Sequence, residues 1–295
     1  MKDQLCKALV LENRVRLYLV KTTDMVQEAR NRFDLHPCAC AALGRSLSVA
    51  SLMGSMLKSE EEMLTISING HGPIGSIIID AYHDGNVRGF CSNPHVEDVF
   101  YGPGKLNVGA VVGTNGTLTV TKDLGMGENF SGSVELQSGE IGEDFAYYFT
   151  LSEQTPTAVS VGVLIGQDGN VVSAGALIIQ MLPDATETDI SICEHVLEGL
   201  KPMSTIIQEY DDSSLEELAH DLFEDANVLE TKEVKYSCPC SKQRMSRALS
   251  TISDAEIKNM IDVDHGCEVT CNFCNERYTF DEFDLQEILE MKHAS

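Results

Sequence analysis

Residues 14 to 22 (RVRLYLVKT) alternate Val15, Leu17 and Leu19 with Arg16 and Tyr18, the period-two signature of a half-buried strand. The spacing then turns helical. Asp24 and Gln27 are placed as a capping box, and Met25 to Phe33 continue a predicted helix until His36-Pro37. Pro37 suits the first turn of a second helix reaching about Lys58, with Leu43, Leu47, Ala50 and Leu57 on one stripe. Period two returns in MLTISING and GSIIIDAY, two strands flanking a turn, and in NVRGF after the Asp84-Gly85 turn. Further strands are expected at Val108 to Val112 and Thr117 to Lys122, joined through Asn115-Gly116. A helix over Ile141 to Leu151 and buried-type strands at Ala158 to Ile165 and Val171 to Gln180 follow. The pattern predicts an α+β protein whose residues 1–180 form a mixed α/β core domain with antiparallel sheets.

The pattern changes at Pro183. Residues 181–235 read as an acidic, amphipathic helical linker. Between Asp184 and Lys235 fifteen acidic residues face three lysines, so this stretch holds −12 of the chain's net charge of −25. It is not a disordered acidic tail, because Ile190, Cys193, Val196, Leu197 and Leu200 recur at helical spacing. Ser213 with Glu216, or Ser214 with Glu217, can cap another helix carrying Leu215, Leu218, Leu222 and Phe223. Short helices with such segregated faces need an apolar surface to pack on, or they stay marginal.

Residues 236–295 carry the most specific chemistry. Cys238-Pro239-Cys240 and Cys271-Asn272-Phe273-Cys274 are two close pairs that can fold back around one ion, the spacing of a structural zinc site. Four thiolates leave no open position for water or substrate, so such a zinc is structural rather than hydrolytic. Zinc-bound sulfur is nonetheless the form that oxidants attack, which makes metal release and disulfide formation the chemistry to consider. Between the pairs lie a helix with Met245, Leu249 and Ile252 and a second, capped by Ser253 and Glu256, with Ile257 and Met260. Asp264-His265-Gly266 turns into a hairpin with Cys271 to Cys274 at its tip, and Asp281 or Asp284 begins a last helix. So small a core calls for an ion as its staple.

Charge and the remaining motifs narrow the classes further. A net charge of −25 repels phosphate backbones and anionic lipid, which argues against nucleic acid and membrane as partners. Asp3, Lys7 and Glu12 interrupt the N-terminal apolar positions, so no secretory segment is expected, and ten cysteines then point to a reducing, cytoplasmic setting. Gly70 to Gly75 matches G-x-G-x-x-G, but a strand rather than a helix follows, which reads as a hairpin connection and not a dinucleotide site. Cys38 and Cys40, two apart on a helix, point to different faces and read as small packing residues; Cys267 reads as a strand residue without redox duty. His83 and His95 lack a partnered nucleophile, and no catalytic signature supports an enzyme. A zinc-ribbon interaction module and a thiol-disulfide oxidoreductase using Cys271 and Cys274 remain as alternatives from other classes.

The segments EARNRFDLHPCACAALGRSL, GHGPIGSIIIDAYHDGNVRGF, GKLNVGAVVG, SGEIGEDFAYYFTLSEQTPTAVSVGVLI and AGALIIQMLP are followed by CPCSKQRMSRAL and CNFCNERYTFDEFDL. In this order they resemble, nearly end to end, the redox-regulated heat-shock chaperone family known as the 33 kDa chaperonin. The resemblance implies an ATP-independent cytoplasmic holdase for unfolded client proteins, inactive while reduced and carrying one Zn2+ per chain. It also implies that oxidative stress ejects zinc and joins Cys238 with Cys240 and Cys271 with Cys274, after which the linker unfolds and the chain forms a homodimer. On this reading the client-binding surface is the linker stripe of Ile190, Val196, Leu197, Leu200, Leu215, Leu218, Leu222 and Phe223, uncovered when the zinc domain collapses.

Overall fold

The computed structural model describes residues 2–125, 127 and 129–294, which fall into two units meeting in sequence at Ser237 and Cys238. In the first, strands β1 (Gln4–Val10) and β2 (Val15–Lys21) lead into helices α1 (Thr23–Phe33) and α2 (Pro37–Gly54). Strands β3 (Met63–Asn69), β4 (Ile77–Tyr82) and β5 (Val87–Cys91) come next, then a small hairpin of β6 (Phe100–Gly102) and β7 (Lys105–Leu106). Helix α3 (Val108–Val112), strands β8 (Thr117–Asp123) and β9 (Asn129–Glu135), helix α4 (Gly142–Leu151) and strands β10 (Thr157–Ile165) and β11 (Val171–Met181) follow. Helices α5 (Glu187–Gly199), α6 (Met203–Glu209) and α7 (Leu215–Leu222) lead into strand β12 (Asn227–Glu233).

Two antiparallel five-stranded sheets organise this unit, ordered β10-β11-β2-β1-β12 and β5-β4-β3-β8-β9. Helix α2 packs on β2, β10 and β11 of one sheet and on β4 and β5 of the other. It is therefore buried nearly all round, from Cys38 to Gly54, and not along the single stripe its leucines suggest. The small residues of CACAALG permit that, since bulky side chains on every face would hold two sheets apart. The helix stops at Gly54, short of the expected Lys58, and a Cβ at Gly54 would come within 2.6 Å of the Tyr82 carbonyl oxygen.

Strand β2 likewise departs from expectation. Val15, Leu17 and Leu19 face one core, while Tyr18 and Val20 are buried on the other side, so the strand is covered on both faces. The Val108 to Val112 segment is a helix rather than a strand: Asn107 Oδ1 accepts from the Ala110 amide at 2.9 Å, and Val108, Val111 and Val112 fall on one buried face. A five-residue apolar run fits either period, and here the cap decides. Asp24 and Gln27 do not form the expected box either. The α1 amides of Asp24 and Met25 are instead capped by Asp3 at 3.1 and 2.7 Å, and Gln27 Oε1 accepts from the Val171 amide.

The Gly70 to Gly75 turn joins β3 to β4 as a hairpin connection. A Cβ at Gly70 would lie 2.1 Å from the Gly113 carbonyl oxygen, so its glycine serves backbone contact rather than phosphate. Asn227–Glu233, within the stretch expected to be helical, is a strand that pairs with β1.

The second unit holds α8 (Lys242–Leu249), α9 (Asp254–Asp262), the hairpin β13 (Gly266–Thr270) and β14 (Arg277–Asp281), and α10 (Glu282–Ala294). Ser253 and Glu256 form the expected capping box on α9. Asp281 and Asp284 cap α10 reciprocally, each carboxylate accepting the other's amide. Leu249, Ile257, Phe280, Leu285, Ile288 and Leu289 make the core.

Candidate metal centre

Cys238 and Cys240 sit on the segment before α8, whose N-cap is Ser241, accepting from the Arg244 amide at 3.3 Å. The Arg244 guanidinium also donates to the Pro239 carbonyl at 3.0 Å, fixing the peptide between the two cysteines. Cys271 and Cys274 occupy the β13–β14 tip, where the Asn275 amide donates to the Cys271 carbonyl at 2.8 Å and Asn275 takes a positive φ of 59°. That left-handed residue turns the chain from the tip back into β14.

The four Sγ atoms lie within 4.8 Å of one another. Cys238 and Cys271 are 3.8 Å apart and Cys240 and Cys274 3.2 Å. A tetrahedral ion with sulfur ligands at about 2.3 Å spaces those sulfurs about 3.8 Å apart. The cluster fits such an ion with small adjustments. Cys271 and Cys274 are buried, Cys238 and Cys240 half-buried, and the free thiols of Cys271 and Cys274 are pushed up chiefly by burial. Four thiolates in this space need a compensating cation, which also holds them deprotonated. Tyr278 on β14 donates its hydroxyl to Cys240 Sγ at 3.1 Å. Sequence spacing did not expose this residue; its only sequence signal is an aromatic four positions beyond Cys274.

The cysteines set aside in the sequence pack as expected. Cys38 and Cys40 are buried on α2, Cys38 Sγ exchanging hydrogen bonds with the Val99 amide and carbonyl at 3.4 Å. Burial pushes Cys40 up to about 12. Cys267 lies on β13 against the small core.

The linker stripe is covered. Leu215, Leu218 and Phe223 are buried, and Val196, Leu197, Leu200 and Leu222 partly buried, in one cluster with Cys6, Ala8, Val10, Leu17, Leu19, Leu177 and Ile179 of β1, β2 and β11. Ile190 lies outside that cluster and is 39% exposed. Polar contacts close the same face. Arg14 reaches from the β1–β2 turn to Asp189 with Nε and Nη2 at 2.8 and 2.9 Å, and Asp189 also completes the α5 capping box with Thr186. The Arg14 guanidinium holds the Asp189 carboxyl well below the usual carboxylate range. Lys21 pairs with Asp211. These pairs join positions about 180 residues apart, so neither was legible in the sequence.

The family model described as "Hsp33 protein" matches residues 3–281. The chain belongs to the Hsp33 family. A 33 kDa chaperonin of Bacillus cytotoxicus is 46% identical over 292 residues, covering 98% of this chain and 99% of that protein. One from Bacillus anthracis is 44% identical with the same coverage. The crystal structure of the 33 kDa chaperonin of Thermotoga maritima matches with a TM-score of 0.89 and 34% identity over the full length of both chains. As an Hsp33 family member the chain is a chaperone, not an enzyme, and its partners are unfolded proteins. Among the described residues no helix is long and apolar enough to cross a membrane.

Proposed function

We propose that this chaperone is a redox-regulated, ATP-independent cytoplasmic holdase whose switch is a zinc ion held by Cys238, Cys240, Cys271 and Cys274. The observation carrying this reading is the convergence of four sulfurs from two segments into a space of tetrahedral size. Bound zinc supplies charge neutralisation and a covalent staple for a unit whose apolar core is small. Three functional parts follow: a core over 1–180, a linker over 181–235 and a redox-switch domain over 236–295.

A peroxide oxidant takes two electrons from each cysteine pair. Two thiolates, one peroxide and two protons give one disulfide and two waters, joining Cys238 with Cys240 and Cys271 with Cys274. A disulfide sulfur is a poor metal ligand, so this oxidation releases the ion and removes the staple. The marginal linker helices then leave the sheet. Val196, Leu197, Leu200, Leu215, Leu218, Leu222 and Phe223, with the already exposed Ile190, become surface for unfolded clients, and two oxidised chains associate as a homodimer. The linker's excess of carboxylates keeps the opened state in solution.

The thiol oxidoreductase alternative asks for an exposed, low-pKa sulfur, whereas Cys271 and Cys274 are buried with thiols pushed up. The nucleic-acid alternative asks for a basic face that a chain of net charge −25 does not favour.

The test measures zinc release and suppression of a client's thermal aggregation, before and after peroxide with mild heat. Zinc-loaded reduced protein is expected to be inactive, and activity to rise with zinc loss. Equal activity in the reduced, zinc-loaded state would overturn the switch.

A further inference from the structure

The sulfurs of the cluster draw hydrogen bonds from more than one element. In the hairpin, backbone amides face the sulfurs: that of Phe273 toward Cys271 and that of Glu276 toward Cys274. This is the local geometry of a tight turn, whose amides point inward. Cys240 receives a donor from elsewhere. The Tyr278 hydroxyl, 3.1 Å from Cys240 Sγ, comes from β14, where Tyr278 stands opposite Val269 with its ring against the small core. A strand residue anchored by packing can hold a hydroxyl in place far better than a free surface side chain.

We propose that Tyr278 is a positioning residue of the metal centre, supplying Cys240 with a hydrogen bond from a packed strand residue outside its own segment. The inference rests on the zinc reading above. A hydroxyl donating to a thiolate forms a charge-assisted hydrogen bond, which stabilises the anion and lowers its nucleophilicity. Tyr278 therefore retards loss of the Cys240 sulfur to electrophiles and to competing chelators. It also ties the hairpin to the segment before α8 through a ligand sulfur, so the two pairs are released together rather than one at a time.

The test is Tyr278→Phe in the full-length chain, which keeps the packed ring and removes only the donor. Reduced, zinc-loaded protein is challenged with a chromophoric chelator, and separately with iodoacetamide followed by peptide mass spectrometry of each cysteine. Zinc transfer is expected to quicken roughly tenfold, the lower end of effects from deleting such outer hydrogen bonds. Cys240 alkylation should rise by a similar factor while Cys271 stays near its original rate. Tyr148→Phe, which removes a hydroxyl donating to Glu153 in the larger unit, should change neither rate.

Unchanged zinc transfer and Cys240 alkylation in Tyr278→Phe overturn the proposal while leaving zinc binding intact. A uniform rise at all four cysteines, as from loss of the unit's fold, overturns it too. If the unaltered chain takes up no zinc, the metal reading fails and this one with it.

Discussion

Helix α2 and helices α5 to α7 pack on opposite faces of the same five-stranded sheet, yet the sheet holds them very differently. Helix α2 is enclosed between two sheets, and its amide at Cys38 is capped by Asp98 from a neighbouring loop at 2.7 Å. The linker helices cover the other face with one stripe each, leaving their charged sides in water. Polar ties add to the stripes: the Arg14–Asp189 fork, Lys21 with Asp211, the Ser173 hydroxyl on the Ser204 carbonyl and the Thr231 hydroxyl on Glu216. The same apolar sheet thus carries an enclosed core helix on one face and, on the other, the cover that the proposed switch would release. Local stability, rather than the mere presence of apolar contact, separates structure from switch.

The largest expected effect falls on the second unit, which has the least apolar core. Stripping zinc from reduced protein with a strong chelator should remove on the order of 10 kcal/mol of folding free energy. Amide exchange should show residues 238–294 losing protection while β3, β4 and α2 keep theirs. Retention of protection in α9 and α10 after complete zinc removal would show that this unit does not need its staple.

A cut in the enclosed helix comes next. Leu47→Ala removes a fully buried side chain and should cost about 2–5 kcal/mol of global stability, read by urea unfolding. Leu218→Ala, on the cover, should instead lower exchange protection in α7 and reduce aggregation suppression by oxidised protein. If both substitutions shift the global transition equally, the cover is part of the core and the contrast collapses.

Proton linkage gives an intermediate effect on the enclosed side. Asp3 is buried where it caps α1, and burial pushes its carboxyl up to about 7 in spite of the Met25 and Asp24 amides. An acid whose folded pKa exceeds its unfolded value keeps its proton in the native state between about pH 4 and 7 while the unfolded chain releases it. Stability of the larger unit should therefore fall as pH rises through that window, by on the order of 2–4 kcal/mol, and level off above it. Asp3→Asn should flatten this slope in urea melts taken from pH 4 to 8. An unaltered slope would remove Asp3 as its source.

The smallest effect should come from the polar tie on the cover. Asp189→Asn removes Arg14's charged partner on α5, leaving it only Glu12 on its own turn, and weakens the α5 cap. Limited proteolysis of reduced, zinc-loaded protein within α5 should quicken roughly tenfold, with little change in cleavage elsewhere. No change would mean that the apolar stripe alone holds the helix.

Legibility in the sequence followed the same divide between local and distant causes. The four-cysteine cluster was readable because two cysteine pairs carry their geometry in their own spacing, and the α9 cap and cysteine-tipped hairpin are likewise local. Strand β12 was not readable: NVLETKE carries Glu230, Lys232 and Glu233 and is ordered by pairing with β1, more than 200 residues away. Strand β1 was passed over too: Lys7 within it, with Asp3 and Glu12 on either side, served only to argue against a secretory segment. Helix α3 misled because an apolar run of five satisfies both periods. Burial on the second face of α2 and β2 depends on which sheets meet there, and no residue of either segment states that.

The central claim is that oxidising four sulfurs in one unit frees helices packed on a sheet in the other. Hydrogen exchange at the Val196, Leu197, Leu215 and Leu218 amides, followed beside zinc release during peroxide treatment with mild heat, tests it most directly. The account predicts that these amides lose protection in step with zinc while Ile66 and Ile79 in the second sheet keep theirs. Full zinc release with the four linker amides still protected would contradict it.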